Sequence, residues 1–234
     1  MNQIFAHLPS IARELIEPHV ETVSLRAQKV LHRAGAPIYF VYFPNVGLVA
    51  IMIVTRDGRT VTTSLVGRDG MVSSGASLNA KTSLDEATVQ VAGDAIRIPG
   101  RIFMETYDAS EEFRNLVNRY HGLMFAQAQQ SAACNALHAA PQRLCRWLAE
   151  AMDRMGVRDL TMTHDFLAGM LGVRRTTVSE DCYALKREGV VSYNRGNFKI
   201  LKPAELRLRA CECYDLLRQR SRKVFPEWAS LKGP

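Results

Sequence analysis

Residues 163 to 178 read Thr163-His164-Asp165-Phe166-Leu167-Ala168-Gly169-Met170-Leu171-Gly172-Val173-Arg174-Arg175-Thr176-Thr177-Val178, and a Gly-centred stretch, Asn194-Arg195-Gly196-Asn197, follows. The spacing is that of two helices joined by a tight turn, with a β-hairpin wing behind them. Small Ala168 lets the helices cross closely, Gly172 four residues later permits the turn, and Val178 six beyond anchors the second helix in the core. The second helix, predicted over 175 to 188, offers Arg175, Thr176 and Thr177 at its N-terminal end. A recognition helix presents that end to the major groove, where Arg reads guanine and Thr meets a thymine methyl or a phosphate.

The charge distribution points the same way. The net charge of +7 is carried entirely by residues 141–234, which hold 18 Lys and Arg against 11 Asp and Glu, while residues 1–109 and 110–140 are each balanced. A local cationic excess suits a module that displaces counterions from phosphate. The longest apolar run, Val46 to Val54, is too short to span a bilayer, and the N-terminus lacks a signal-peptide pattern. These features predict a cytoplasmic protein with no membrane association.

Cys134, Cys145, Cys182, Cys211 and Cys213 are odd in number and absent from the first 133 residues, which argues against a secreted disulfide framework. Cys211-Glu212-Cys213 has neither the spacing of a zinc knuckle nor a nearby His in sequence, so these cysteines read as packing residues and no metal or cofactor is expected. Cys182, four residues after Val178 and three before Leu185, also has core-facing spacing, with redox control of DNA contacts as the alternative.

Between residues 19 and 98 the chain breaks into short apolar bursts rich in Val, Ile, Tyr, Phe and Thr. Turn signals such as Pro44-Asn45, Asp57-Gly58, Asp69-Gly70 and Ala92-Gly93-Asp94 separate them, as in an antiparallel sandwich or jelly roll. From Ser110 a segment without turn clusters carries Phe113, Leu116, Tyr120 and Leu123 on one stripe, like a coiled-coil seam. It reads as a dimer helix, with packing inside one chain as the alternative. His138-Ala139-Ala140 is the expected hinge, and Pro141 opens a helix through Met155. A last helix is predicted from Pro203 to Lys223. The fold class is therefore α+β: a jelly roll over 1–109, a dimerisation helix and hinge over 110–140, and a winged helix-turn-helix with a C-terminal helix over 141–234.

This order, together with His164 to Ala168, Leu171 to Val178 and Gly189 to Gly196, resembles the family of the cyclic-AMP receptor protein and the fumarate-nitrate regulator (CRP/FNR). Arg143 and Leu144 match the helix leading into the family's DNA-binding domain. The resemblance implies a homodimeric transcription regulator acting on double-stranded DNA, with RNA polymerase a candidate partner. Arg175 falls on the position of the family's guanine-reading arginine. Thr176 replaces the glutamate that commonly follows, Glu180 replaces a second basic residue, and Asp181 stands where a small apolar residue is usual, which implies a different half-site. The DNA-binding candidates are Arg174, Arg175, Thr176, Thr177, Glu180, Lys186, Asn194 and Arg195.

The family's cyclic-nucleotide pocket uses a Gly-Glu pair and an Arg-Ser or Arg-Thr pair. Here Ser73 and Ser74 occupy the first, and Asp85 and Glu86 stand where the arginine belongs, so the site would repel a phosphate despite Lys81 nearby. Ser73, Ser74, Asp85, Glu86, Ala128 and Ser131 are the effector-pocket candidates, and a signal other than cyclic AMP is expected. A cyclic-nucleotide- or cyclic-dinucleotide-responsive regulator is the alternative. An iron–sulfur cluster of the fumarate-nitrate type needs N-terminal cysteines that are absent, and haem would have to use an isolated His such as His7, His19, His32 or His121. A cupin-like metal enzyme, the competing class, needs a His-x-His cluster that the scattered histidines do not form.

Overall fold

The apolar bursts of the N-terminal half form strands in the computed structural model, which describes residues 1–73, 75, 82–194 and 196–226. They are β1 (Glu21–Leu25), β2 (Val30–His32), β3 (Phe40–Val54), β4 (Thr60–Val66) and β5 (Glu86–Pro99). The sheet order is β1-β5-β3-β4, with β2 also on β5. Pairings of β1, β2 and β3 with β5 are antiparallel. Leu25, Val49, Ile51, Val66, Ala87 and Val89 close its core. Short helices α1 (Gln3–Ala6) and α2 (Ser10–Ile16) precede the sheet, and α3 (Gly100–Ala109) follows it.

Two of the expected turns are bulges instead. Pro44-Asn45 lies inside β3 and Ala92-Gly93-Asp94 inside β5, where the register shifts from Pro44 opposite Ala95 to Leu48 opposite Val91. A bulge accommodates the missing Pro N–H and bends the strand pair without ending it. Buried Asn2 fixes the bend, donating from Nδ2 to the Pro44 carbonyl (2.9 Å) and the Gly70 carbonyl (2.7 Å). Asn45 Oδ1 accepts from the Asn2 amide and its Nδ2 donates to Asp94. Glycine is required here: Gly47 has φ +96°, and a Cβ on Gly93 would overlap the Val46 carbonyl.

The helical half begins with α4 (Glu111–Leu137) and α5 (Ala140–Met155). Then come β6 (Asp159–Thr161), α6 (His164–Leu171), α7 (Arg175–Arg187), β7 (Val191–Asn194) and β8 (Asn197–Ile200). The three strands pair in the order β6-β8-β7. The single C-terminal helix expected from Pro203 is instead two, α8 (Pro203–Arg209) and α9 (Cys213–Val224), because Ala210 turns to extended backbone (ψ 149°). Asp153 ties both back to α5: it accepts from Arg207 Nη2 at 2.9 Å and from the Tyr214 hydroxyl at 2.6 Å. Packing divides the chain into two compact units, residues 1–54 with 65–125 and residues 55–64 with 126–234, so the division falls within α4. Among the described residues no helix is long and apolar enough to cross a membrane.

The expected dimer seam is spent inside the first unit. Phe113, Leu116, Tyr120 and Leu123 are all buried. Phe113 packs edge-on to Phe103, and the Tyr120 hydroxyl donates to the Met71 carbonyl at 3.0 Å. A stripe of period 3.5 covers a single-chain core as well as a partner helix, and here α3 and the segment after β4 pack on it.

Gly93→Ala is expected to destabilise the sheet unit by about 1–3 kcal/mol, because the new Cβ meets backbone that cannot swing away. Urea unfolding followed by circular dichroism measures it; an unchanged midpoint would show that the bulge relaxes freely.

Candidate nucleic-acid interface

The turn between α6 and α7 is built as the sequence spacing requires. Thr163 caps α6, its hydroxyl accepting the Phe166 amide at 3.1 Å. Gly172 adopts φ +63°, ψ +35°; its own amide donates to the Gly169 carbonyl and that of Val173 to Ala168. This double closure is the Schellman arrangement, which favours glycine because the left-handed conformation disfavours a Cβ. Buried Arg143 on α5 donates to the Leu171 carbonyl, placing a cation at the negative end of α6.

Helical periodicity then sets what α7 shows and hides. Val178, Cys182 and Leu185 are buried, whereas Arg174, Arg175, Thr176 and Glu180 are exposed and Thr177 is half-buried. Arg174 precedes the first turn without a side-chain cap, so the first amides of this 13-residue helix have no side-chain acceptor. Free amides and the helix dipole make such an end attractive to phosphate. Arg175 Nε lies 3.4 Å from Asp165 on α6, with both side chains about 70% exposed (68% and 72%). An exposed pair of this kind is worth at most about 1 kcal/mol, so it orients Arg175 without preventing a base contact.

The wing is joined to the helices by rings that the sequence reading did not single out. His164 lies edge-on to Tyr193 at 5.2 Å and tilted against Phe198 at 5.8 Å, and the two latter rings stack at 5.1 Å. His164 Nδ1 is also 3.0 Å from the Ser179 hydroxyl. Burial, aided by the Arg175 charge, lowers the His164 pKa, so the imidazole holds its place neutral. Lys186 Nζ sits 4.9 Å over the Tyr193 ring and reaches the Tyr193 carbonyl at 3.5 Å, so the exposed lysine is fixed to the wing. Asn194 is exposed at the end of β7, opposite Asn197. Arg195 lies outside the described residues. Burial, followed by the adjacent Glu180, raises the Asp181 pKa, in keeping with a half-buried acid facing the interior side of the helix.

The effector candidates separate. A cavity of about 220 Å³ in the first unit is lined by Ile38, Ile51, Met71, Ser73, Asp85 and Met124, among others. Beside it, buried His32 bridges two candidates: Nδ1 is 2.7 Å from the Ser73 hydroxyl and Nε2 is 2.7 Å from Asp85 Oδ1. Ser73 has φ +67°, a left-handed conformation that the His32 contact helps to hold. Glu86 pairs instead with Arg33 at 3.4 Å. Ala128 and Ser131 lie on the part of α4 that belongs to the second unit. Ser74 and Lys81 lie outside the described residues.

Residues 142–209 match the family model described as a Crp-like helix-turn-helix domain. No curated protein matches the chain. Many solved structures share its fold, three of them as follows. A transcriptional regulator of the crp/fnr family from Eubacterium rectale is 20% identical over 88% of this chain and 97% of its own, with a TM-score of 0.67. FixK2 from Bradyrhizobium japonicum is 14% identical over 82% and 98%, with a TM-score of 0.69. A CRP/FNR-family regulator from Thermus thermophilus is 24% identical over 81% and 98%, with a TM-score of 0.65. The C-terminal module is thus a Crp-like helix-turn-helix domain. Over more than four fifths of its length the chain shares the fold of these CRP/FNR-family regulators.

Arg175→Ala is expected to cost about 1–3 kcal/mol of DNA affinity and to relax preference at one base pair per half-site. Binding measured on a panel of single-base operator variants checks it, and an equal loss on every sequence would confine Arg175 to phosphate. Cys182 is fully buried and its thiol is pushed up to about 12 by burial, then by Asp181 and Cys145. So little thiolate forms that Cys182→Ser should leave the peroxide response of DNA binding unchanged in a gel-shift assay; loss of that response would establish Cys182 as a sensor.

Proposed function

We propose that the chain regulates transcription as a homodimer that binds a two-fold DNA site. In this reading residues 141–234 bind DNA, residues 110–140 pair the subunits, and residues 1–109 receive a signal other than cyclic AMP; no reaction is assigned. The observation that carries it is the exposed N-terminal end of α7, where Arg174, Arg175 and Thr176 stand free of the core beside uncapped amides. Arg174, Arg175, Thr176 and Thr177 approach base edges, Glu180 borders them, and Lys186, Asn194 and Arg195 approach phosphates. RNA polymerase remains a partner by family likeness.

With the apolar seam of α4 buried, the pairing surface moves to the opposite side of that helix. Asn118, Gly122, Phe125, Gln129, Ala132 and Ala136 are all exposed and recur at intervals of four and three residues. Small residues at this period let two helices approach closely around one anchor, and Phe125 is 65% exposed. The sensor reading rests on the small cavity beside His32, Ser73 and Asp85: its wall carries Asp85, held by His32, and no Lys or Arg among the described lining residues to hold an anion. At about 220 Å³ it is also below the range of about 300–1,000 Å³ usual for drug-sized ligands.

Phe125→Glu tests the assembly. It is expected to convert the dimer to a monomer in sedimentation equilibrium and to weaken operator binding at least tenfold, as pairing two half-sites requires both subunits. A variant that stays dimeric, or a monomer that binds as tightly, would overturn the homodimer reading.

A further inference from the structure

The break between α8 and α9 has a chemical consequence. It turns Cys211 and Cys213 toward the end of α4, where Cys134 lies in the last turn and His138 just past it, the His138 amide donating to the Cys134 carbonyl at 3.1 Å. All four side chains belong to the second unit. Their donor atoms lie within 4.8 Å of one another. Cys134 Sγ is 3.5 Å from Cys211 Sγ, and Cys213 Sγ is 3.6 Å from His138 Nδ1. Metal–sulfur bonds of about 2.3 Å in a tetrahedron separate ligand atoms by about 3.7 Å, so these distances fit a shared ion. They are far from the sulfur–sulfur bond of about 2.05 Å in a disulfide.

The surroundings match as well. His138 Nε2 lies 3.1 Å from Glu212 Oε1, so the carboxylate can accept a hydrogen bond from Nε2–H while Nδ1 faces the cluster. That is the carboxylate–histidine relation typical of metal-bound imidazole. Gln130 Nε2 donates to Cys213 Sγ at 3.0 Å. Three thiolates and a divalent ion leave one net negative charge, and the Arg146 charge acts on both Cys134 and Cys211: Arg146 is fully buried, and its guanidinium nitrogens make no hydrogen bond, though Nη1 lies 3.3 Å from Glu150. The three cysteines are themselves buried.

We infer that Cys134, His138, Cys211 and Cys213 form a tetrahedral site for one zinc-type divalent cation, which clips the last turn of α4 to the junction of α8 and α9. A Cys₃His set with no open position is a structural site, in which binding is coupled to folding. Pairwise sequence spacing conceals it, since Cys134 and Cys211 are 77 residues apart.

The full chain, reduced and freed of metal by chelation, is titrated with Zn²⁺ and with Co²⁺ under anaerobic conditions. One equivalent per chain should bind. Cobalt should give thiolate charge-transfer absorption and the intense visible bands of a tetrahedral S₃N site, and Zn²⁺ should raise the melting temperature. Cys145→Ser, outside the cluster, should behave as the parent; Cys213→Ala and His138→Ala should lose or alter the cobalt spectrum. Glu212→Gln, at an exposed position, should keep the fold by circular dichroism and bind Zn²⁺ about 10–100-fold more weakly. Failure to take up an ion after reduction, a Cys134–Cys211 disulfide in the untreated protein without later ion uptake, or a cobalt spectrum unchanged in both ligand variants would overturn the site.

Discussion

The left-handed turn at Gly172 is the constraint on which the DNA-binding half depends. It ends α6 by satisfying its last carbonyls and sets α7 off at the angle that sends Val178, Cys182 and Leu185 into the core. Once those three are buried, the 3.6-residue period leaves Arg174, Arg175, Thr176 and Glu180 in solvent. Arg143 below, bonded to the Leu171 carbonyl, and the His164, Tyr193 and Phe198 rings beside the helix hold the turn from two further sides. The chemistry of the exposed end follows from this packing, since a helix shifted by one residue would hide the arginines.

Local signals were legible because they are written in local residues. The glycine turn, the core spacing of α7, the Pro141 start and the wing each need only a few neighbouring positions, and each is found where the spacing puts it. Longer-range competition overrides local signals elsewhere. Pro44 and Gly93 look like turns in isolation, but antiparallel partners with their own irregularities convert both into one bulge. The α4 stripe looks like a dimer seam, but a single-chain core uses the same period, and Phe103 and Met71 occupy it.

The candidate sites show the same division. Arg175 was recognisable at a helix start, whereas its Asp165 partner depends on how α6 meets α7. Asp85 and Glu86 read as two bare acids facing a pocket; folding gives the first to His32 and the second to Arg33. Cys211 and Cys213 looked like packing residues because their partners come from a helix far away in sequence, brought close only when the C-terminal helix breaks at Ala210. In each case the residue type was visible and the partner was not.

The central claim is that paired α7 helices read DNA through their N-terminal ends. Selection of bound duplexes from a random pool by the full-length protein tests it most directly. The account predicts enrichment of an inverted repeat with half-site centres one helical turn apart, about 10–10.5 bp, with guanine at a fixed position in each half. Recovery of sequences without a common motif, or of a single unrepeated half-site, would contradict it.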